Sequence, residues 1–312
     1  MNPFLETPKN IWQSFRNWNQ IYPQSYNKES VDPYTKTRII LMNGTEYEAN
    51  WFSHQMARNC TDNDLRREIA TTREVEKQQQ MVIANLKPIN ESILEQTIGY
   101  EQLAVDLTAI LAKREPDTYV KAVLDFALLE DFDHLYRYAD LLEMEQGIKA
   151  DQLVGRYTEI TPGRPTISEH RYPMDNIRRY IYNKTAAPIT RLNVSIITAA
   201  EQQTMNYYMN VSAFQTNDTA RRLYQEIGLI EEQHVTQYEC LMDPSATWLE
   251  KLLCHEYIEC YLYYSCYMDE TDPQVLAEHI LHRALTLCHG KPEDDMTVIC
   301  MALERNLNPV IA

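Results

Sequence analysis

Residues 101–138 read EQLAVDLTAILAKREPDTYVKAVLDFALLEDFDHLYRY, and residues 201–238 read EQQTMNYYMNVSAFQTNDTARRLYQEIGLIEEQHVTQY. Laid over each other at an offset of 100 residues without a gap, they align Glu101-Gln102 with Glu201-Gln202. Asp131-x-x-His134 then falls on Glu231-x-x-His234, and Tyr138 falls on Tyr238. Each half runs carboxylate, a long spacer, carboxylate, two residues, histidine.

That spacing predicts a pair of helical hairpins. Between the two carboxylates of each half lies a helix-breaking stretch, Arg114-Glu115-Pro116-Asp117-Thr118 in the first and Gln215-Thr216-Asn217-Asp218-Thr219 in the second. Proline cannot continue a helix interior, and Asn, Asp and Thr favour turns and N-caps. Glu101 and Asp131 each stand 15 residues from position 116, as Glu201 and Glu231 do from position 216. At the helical rise both members of a pair sit roughly 22 Å from their turn, so they face each other at one height. The carboxylate-x-x-His spacing puts each histidine one turn from its carboxylate on the same helix face. Two such hairpins docked together bring four carboxylates and two imidazoles to one level of a four-helix bundle. This donor set suits a pair of transition-metal ions, because carboxylates bridge cations and imidazole supplies a borderline nitrogen ligand. Buried acids need either cations or protons to exist.

In these residues the chain resembles the ferritin-like superfamily of di-iron carboxylate proteins, rubrerythrins among them, over about residues 90–142 and 190–242. The resemblance implies an all-α, ferritin-like four-helix bundle with a long crossover. It implies two iron ions as cofactors, manganese or a mixed Fe/Mn pair also suiting the donors. Their ligands would be Glu101, Asp131, His134, Glu201, Glu231 and His234. The chain departs from the family in two ways. Asp131 stands where Glu is usual, so the metal of the first hairpin is expected to bind more weakly, and Glu130 is the fallback ligand if the helix is rotated. Rubrerythrins also carry a CxxC…CxxC iron site, and no CxxC occurs here.

The chain as a whole fits that frame. Only 7 of its 312 residues are glycine, which argues for a mostly helical protein. A formal charge of −16 argues against a nucleic-acid partner, because phosphate contacts need a basic face. No apolar run approaches the roughly 20 residues that span a bilayer, and the N-terminus lacks a basic start and an apolar core. No membrane and no export are therefore expected, and the location is read as cytoplasmic. The 7 cysteines, without metal or redox spacing, read as reduced core thiols.

Three regions are expected: an N-terminal extension over 1–89 packed on the bundle, the bundle over 90–243, and a helical C-terminal extension over 244–312. Residues 1–34 look irregular. Asn43-Gly44 suits a hairpin turn or a helix C-cap, with a short helix capped by Thr45 and Glu48 running to about residue 59. Thr61 and Asp64 open a charged helix to about residue 86. Bundle helices follow at about 91–113, opened by Asn90, and at 118–146, 190–214 and 218–242. The connection from Gly147 to about residue 187 holds a short helix near 174–182. It also holds His170, which reads as a locally hydrogen-bonded loop histidine more readily than as a ligand. After Pro244, helices are expected at about 245–269, 273–289 and 292–306. His255, Glu256, Glu259, Glu278, His279 and His282 on the first two make a second metal site conceivable, without the long in-register spacing of the first. The tyrosines from Tyr257 to Tyr267 read as packing. Tyr138 and Tyr238 lie one turn beyond the ligand histidines. They are placed either to serve the metals, by a hydrogen bond or an electron, or to fill the core, and core filling is the commoner role.

The chemistry implied is that of an O2- or peroxide-dependent di-iron oxidoreductase, with a small-molecule substrate or peroxide and an electron-donor protein as partners. Iron binding and storage with ferroxidase activity is the alternative. The additions around the bundle count against it, because a storage cage packs compact bundles, whereas a small homo-oligomer is consistent with the enzyme reading. A metal-free ferritin-like scaffold is the third reading, supported only by Asp131.

Overall fold

The computed structural model describes residue 12 and residues 15–161 and 176–275. The chain is all-α: among the described residues there are seven helices of at least 22 residues and no strand. They are α1 (Pro33–Asn59), α2 (Asn63–Ala84), α3 (Ile93–Arg114), α4 (Thr118–Gln146), α5 (Pro188–Ser212), α6 (Asp218–Glu239) and α7 (Trp248–Asp269). No described helix is long and apolar enough to cross a membrane.

The contacts divide the chain into two compact units. One gathers Asn27–Glu48 and Lys87–Ala246, and the other gathers residues up to Tyr26, Ala49–Leu86, and the chain from Thr247 on. In the first unit α3 packs along α4 and α5 along α6, and the two hairpins meet through α3 with α5 and α4 with α6. Local chemistry sets the hairpin ends. Ser92 and Glu95 form a reciprocal capping box at the start of α3, displacing the expected cap at Asn90. Asp117 caps α4 by accepting from the backbone of Tyr119 and Val120. Gly147 ends α4 at φ +67°, a left-handed conformation that favours glycine. Pro188 stands in the first turn of α5, and the Asn217 side chain caps α6. Helix α3 is buried on nearly every side, from Leu94 and Ile98 to Val105 and Leu111. A helix buried all round is a central element, and this one supplies the first carboxylate of the repeat.

The expected break at Asn43-Gly44 does not occur, because α1 runs through it without interruption. Thr45 caps nothing; its hydroxyl donates to the Leu41 carbonyl inside the helix. The glycine serves packing instead of a turn. A Cβ at position 44 would stand 2.8 Å from Gln203 Nε2, and that amide donates to the Ile40 carbonyl at 3.0 Å. Glycine thus lets α1 approach α5 closely enough for a buried glutamine to satisfy a backbone oxygen.

Of the long connection, Thr158 donates to the Asp106 carboxylate of α3 at 2.9 Å. Arg178 donates to Gln237 of α6, and the Ile181 amide donates to the Leu241 carbonyl. Residues 177–182 are not helical, against expectation, and their polar groups are engaged by these neighbours. His170 lies outside the described residues.

In the second unit Asp62 caps α2, and Thr247 with Glu250 forms a capping box on α7. Phe52 and Met56 of α1, Ile69 of α2, and Trp248 and Leu252 of α7 form a small apolar cluster. Along α7, His255, Ile258, Leu262, Tyr263 and Cys266 recur at helical spacing and are buried, so the tyrosine-rich run does pack. Most of the expected helix 273–289 and all of 292–306 lie outside the described residues.

Candidate metal centre

Helices α3 and α5 each bring one carboxylate, Glu101 and Glu201. Helix α4 brings Asp131 and His134, and α6 brings Glu231 and His234. All six side chains are at most 1% exposed. Their ligand atoms gather into two sets, Glu101 with His134 and Glu231, and Asp131 with Glu201 and His234. Within each set the atoms lie within 4.8 Å of one another. All six residues singled out by the repeat therefore meet in one place.

The sets cross the hairpins. Each histidine joins the carboxylate that leads its own hairpin and the carboxylate of the opposite motif. Asp131 accordingly shares a set with His234, not with His134 three residues along its own helix. Any weakness due to its shorter side chain falls on the set of the second hairpin, a correction to the expectation drawn from sequence. Glu231 occupies the middle. One oxygen lies 2.9 Å from His134 Nδ1 and the other 3.1 Å from His234 Nδ1. The two imidazole rings are 5.9 Å apart, centre to centre.

Glu130 is fully buried, and its carboxylate accepts from His234 Nε2 at 2.8 Å. Sequence spacing offered it as a substitute ligand, but the structure puts it behind the histidine, where it fixes which nitrogen faces the cluster. The repeat places Ile230 at the equivalent position, so this prop has no counterpart one hairpin along. Tyr208 of α5, which sequence reasoning passed over, donates from its phenol to Glu101. The signal was available: Tyr208 follows Glu201 by two helical turns and so shares its inward face. Tyr138 and Tyr238 are fully buried, yet neither hydroxyl has a hydrogen-bond partner. Tyr138 packs against Tyr208 and Tyr224, and the Tyr238 ring faces His234, so both fill the core around the cluster.

The electrostatics follow from burial of unequal charge. Glu101 and Glu201 are pushed well above the usual carboxylate range by burial and then by Glu231. Asp131 is pushed up to about 6 by burial, with the two histidines opposing and Glu231 assisting. Burial also acts to raise Glu231, but the flanking imidazoles outweigh it and hold that carboxyl below its ordinary value. For His234 burial favours the neutral ring, and the carboxylates of Glu130, Glu201 and Glu231 reverse this and hold the proton strongly.

Unpartnered atoms show what the cluster lacks. Both oxygens of Asp131, both of Glu201, Glu101 Oε2, Glu231 Oε1 and His134 Nδ1 are buried with no well-formed hydrogen bond. Buried polar atoms are ordinarily satisfied, and a concentration of orphaned carboxylate and imidazole atoms in one cluster is what ligands to cations would show. The fit to a metal pair is good: the orphans belong to five of the six proposed ligands, and the sixth, His234, turns its Nδ1 to the same centre.

His255 and Glu259 of α7 are a separate matter. Their side chains lie 3.2 Å apart and the imidazole stacks on Phe52. They join no group of three metal-ligating side chains among the described residues, and Glu278, His279 and His282 lie outside those residues. The described cysteines, Cys60, Cys240, Cys254, Cys260 and Cys266, form no disulfide with one another.

No protein-family model, curated protein or solved structure matches this chain.

Proposed function

We propose that α3–α6 form a ferritin-like four-helix bundle that holds two iron ions, or manganese in their place, and performs O2- or peroxide-dependent redox chemistry. The observation that supports this reading is the set of buried, unpartnered carboxylate and imidazole atoms at the level where the repeat aligns. Charge gives the reason. Five buried acids, Glu101, Glu130, Asp131, Glu201 and Glu231, surround two imidazoles, so with every acid ionised even two imidazolium ions would leave the cluster negative, and without cations only protons on the raised acids meet that excess. Two divalent cations supply the balance without leaving carboxylates bare in a low dielectric.

A bound iron pair would supply reversible one-electron steps and open positions for O2 or peroxide. The chain supplies the rest. Glu231, between both sets, is suited to bridge them. Glu130 holds the His234 Nε2 proton so that Nδ1 presents its lone pair inward once its own proton leaves. Tyr208 holds Glu101 in place, and the fully buried Tyr138 and Tyr238 pack around the cluster. Electrons would come from a separate donor protein, since this chain has no CxxC site of its own.

The deciding experiment is oxidation of excess Fe(II) by air or peroxide. Rapid oxidation that stops near the two positions of the cluster supports an enzyme. A growing mineral core assigns the protein to storage, and a purified, reconstituted protein without metal defeats both.

A further inference from the structure

Three fully buried tyrosines stand around the cluster, and their phenols differ in what they reach. The hydroxyls of Tyr138 and Tyr238 have no hydrogen-bond partner. Tyr208 donates its phenolic proton to Oε1 of Glu101. The other oxygen of that carboxylate has no partner and is left to face a cation. The contrast matters for redox chemistry. An oxidised phenol is a very strong acid, so a phenol gives up an electron readily only where a base stands within hydrogen-bond reach of its proton.

The surroundings of Tyr208 set it apart further. Tyr138 of α4, Tyr207 of α5 and Tyr224 of α6 have ring centres 5.2, 5.6 and 5.8 Å from its own. Tyr100 of α3 stacks face to face on Tyr207 at 4.2 Å. Core filling alone does not ask for phenols here. Offset by 100 residues, Tyr100, Tyr207, Tyr208 and Tyr224 face Ala200, Leu107, Thr108 and Leu124, which fill buried positions of the other half without an aromatic ring. Within the group, the Tyr224 hydroxyl meets Thr97, and the Tyr207 hydroxyl donates to the Ile93 carbonyl and to Gln96. None of these acceptors is a base. Tyr207 is partly exposed, which gives the ring group an edge toward solvent.

We infer that Tyr208 is a redox-active residue that passes single electrons to the Glu101 side of the cluster, the neighbouring rings leading to it from Tyr207. The inference rests on reading the cluster as a two-iron site. In the forward step the Tyr208 O–H bond breaks. Its electron goes to the iron pair, once O2 or peroxide has oxidised that pair, and its proton passes along the existing hydrogen bond to form a carboxyl O–H on Glu101. A neutral phenoxyl radical is left on Tyr208. In the return step one electron from the donor protein enters by way of Tyr207, and the proton moves back from Glu101 to the phenol oxygen. One electron is transferred and every proton returns to its place. Glu101 belongs with His134 and Glu231, so the electron arrives on that side. Tyr138 and Tyr238, the candidates offered by the repeat, lack the base that the step requires.

The test is made on full-length protein loaded with Fe(II), mixed with hydrogen peroxide, freeze-quenched and read by EPR. Protein grown on ring-deuterated tyrosine identifies any phenoxyl signal by its narrowing. Wild type should give such a signal. Tyr208→Phe should lose it while elemental analysis still finds both irons and circular dichroism finds the fold intact, whereas Tyr138→Phe and Tyr238→Phe should keep it. Tyr207→Leu, which installs the residue of the other half, should keep the signal and prolong its life severalfold under ascorbate. A second arm loads Zn(II), which cannot be oxidised, and supplies the oxidant as a flash-generated ruthenium(III) polypyridyl complex. There the longest-lived phenoxyl radical should again be absent from Tyr208→Phe alone. Metal-loaded wild type without a phenoxyl signal in either arm would overturn the inference, as would a signal that survives Tyr208→Phe or disappears equally with Tyr138→Phe. A wild type that takes up neither iron nor zinc removes the two-metal reading itself, an outcome distinct from a loaded cluster that leaves Tyr208 unoxidised.

Discussion

Stripped of metal, the protein should become less stable as pH rises from about 5 to 8, and a divalent cation should reverse that trend. The sign comes from the buried acids. Glu101, Asp131 and Glu201 have raised pKa values in the folded state, so the folded chain holds protons that the unfolded chain has released. Stability therefore falls as pH climbs from the ordinary carboxyl range through the folded values. Asp131 sets a scale. Its rise from 3.8 to about 6 spans about two units, worth about 3 kcal/mol in all. Roughly half of that falls between pH 5 and 8, because the rest is lost below pH 5. Asp131 is fully buried, so solvent screening does not reduce the figure. Glu101 and Glu201 add to it with the same sign. His234, whose pKa is also raised, contributes stability that is whole below its unfolded value and lost as pH rises, again the same sign. Glu231 is held low, so its contribution disappears only as pH falls below the ordinary glutamate value, outside this window. Urea unfolding in the presence of chelator, followed by circular dichroism, measures the trend. Repeating it with Mn(II) at about 100 times its dissociation constant should add about 2.7 kcal/mol per site, and more at high pH, where fewer protons compete. Chelated protein whose stability is flat or rises from pH 5 to 8 would refute the argument, since its carboxyls would then ionise in the folded state as freely as in the unfolded one.

Glu231→Ala should abolish binding of both metals, because that carboxylate touches both sets, whereas Glu201→Ala should spare the Glu101 set; elemental analysis after reconstitution distinguishes them. Asp131→Glu should bring the two dissociation constants together in a Co(II) titration, with the change confined to the step that Glu201→Ala removes. Gly44→Ala should cost about 1–2 kcal/mol in thermal or urea unfolding, since the new methyl displaces Gln203 from the Ile40 carbonyl and leaves a buried amide unsatisfied.

The helices and the six clustered residues were legible because both depend on periodicity. A carboxylate and a histidine one turn apart must share a face, and equal distances from a turn must give equal heights. What could not be read depends on partners distant in sequence. Asn43-Gly44 looks like a helix end, since glycine there is locally a poor helix former. Only the approach of Gln203, 160 positions from Asn43, explains why helix continues through it. Glu130 looked like an alternative ligand because spacing along α4 allows it, and its true neighbour, His234, lies on another helix. The assignment of Asp131 to the second set was hidden for the same reason: spacing fixes which residues reach one level, but not how two hairpins rotate against each other.

The departures from the repeat have a common location. Offset by 100 residues, Glu130 faces Ile230, Asp131 faces Glu231 and Thr108 faces Tyr208. Glu130 and Asp131 both bear on the set that contains Asp131 and His234. The substitutions oppose one another in effect. The shorter Asp131 weakens a ligand, whereas Glu130 strengthens His234 by polarising its ring. On the proposed two-metal reading, the two positions would therefore differ in kind as well as in strength. One has a long carboxylate held by a phenol, and the other has a short carboxylate with a histidine made more basic by the anion behind it. Such a pair should hold its two ions at different potentials, which is what a site needs to accept electrons one at a time. Glu130→Gln separates the two effects: it keeps the hydrogen bond and removes the charge, so it should shift the spectrum and potential of one ion while leaving the uptake of the other unchanged. An equal shift at both ions would mean that Glu130 acts on the cluster as a whole and that the asymmetry of the sequence is not an asymmetry of the metals.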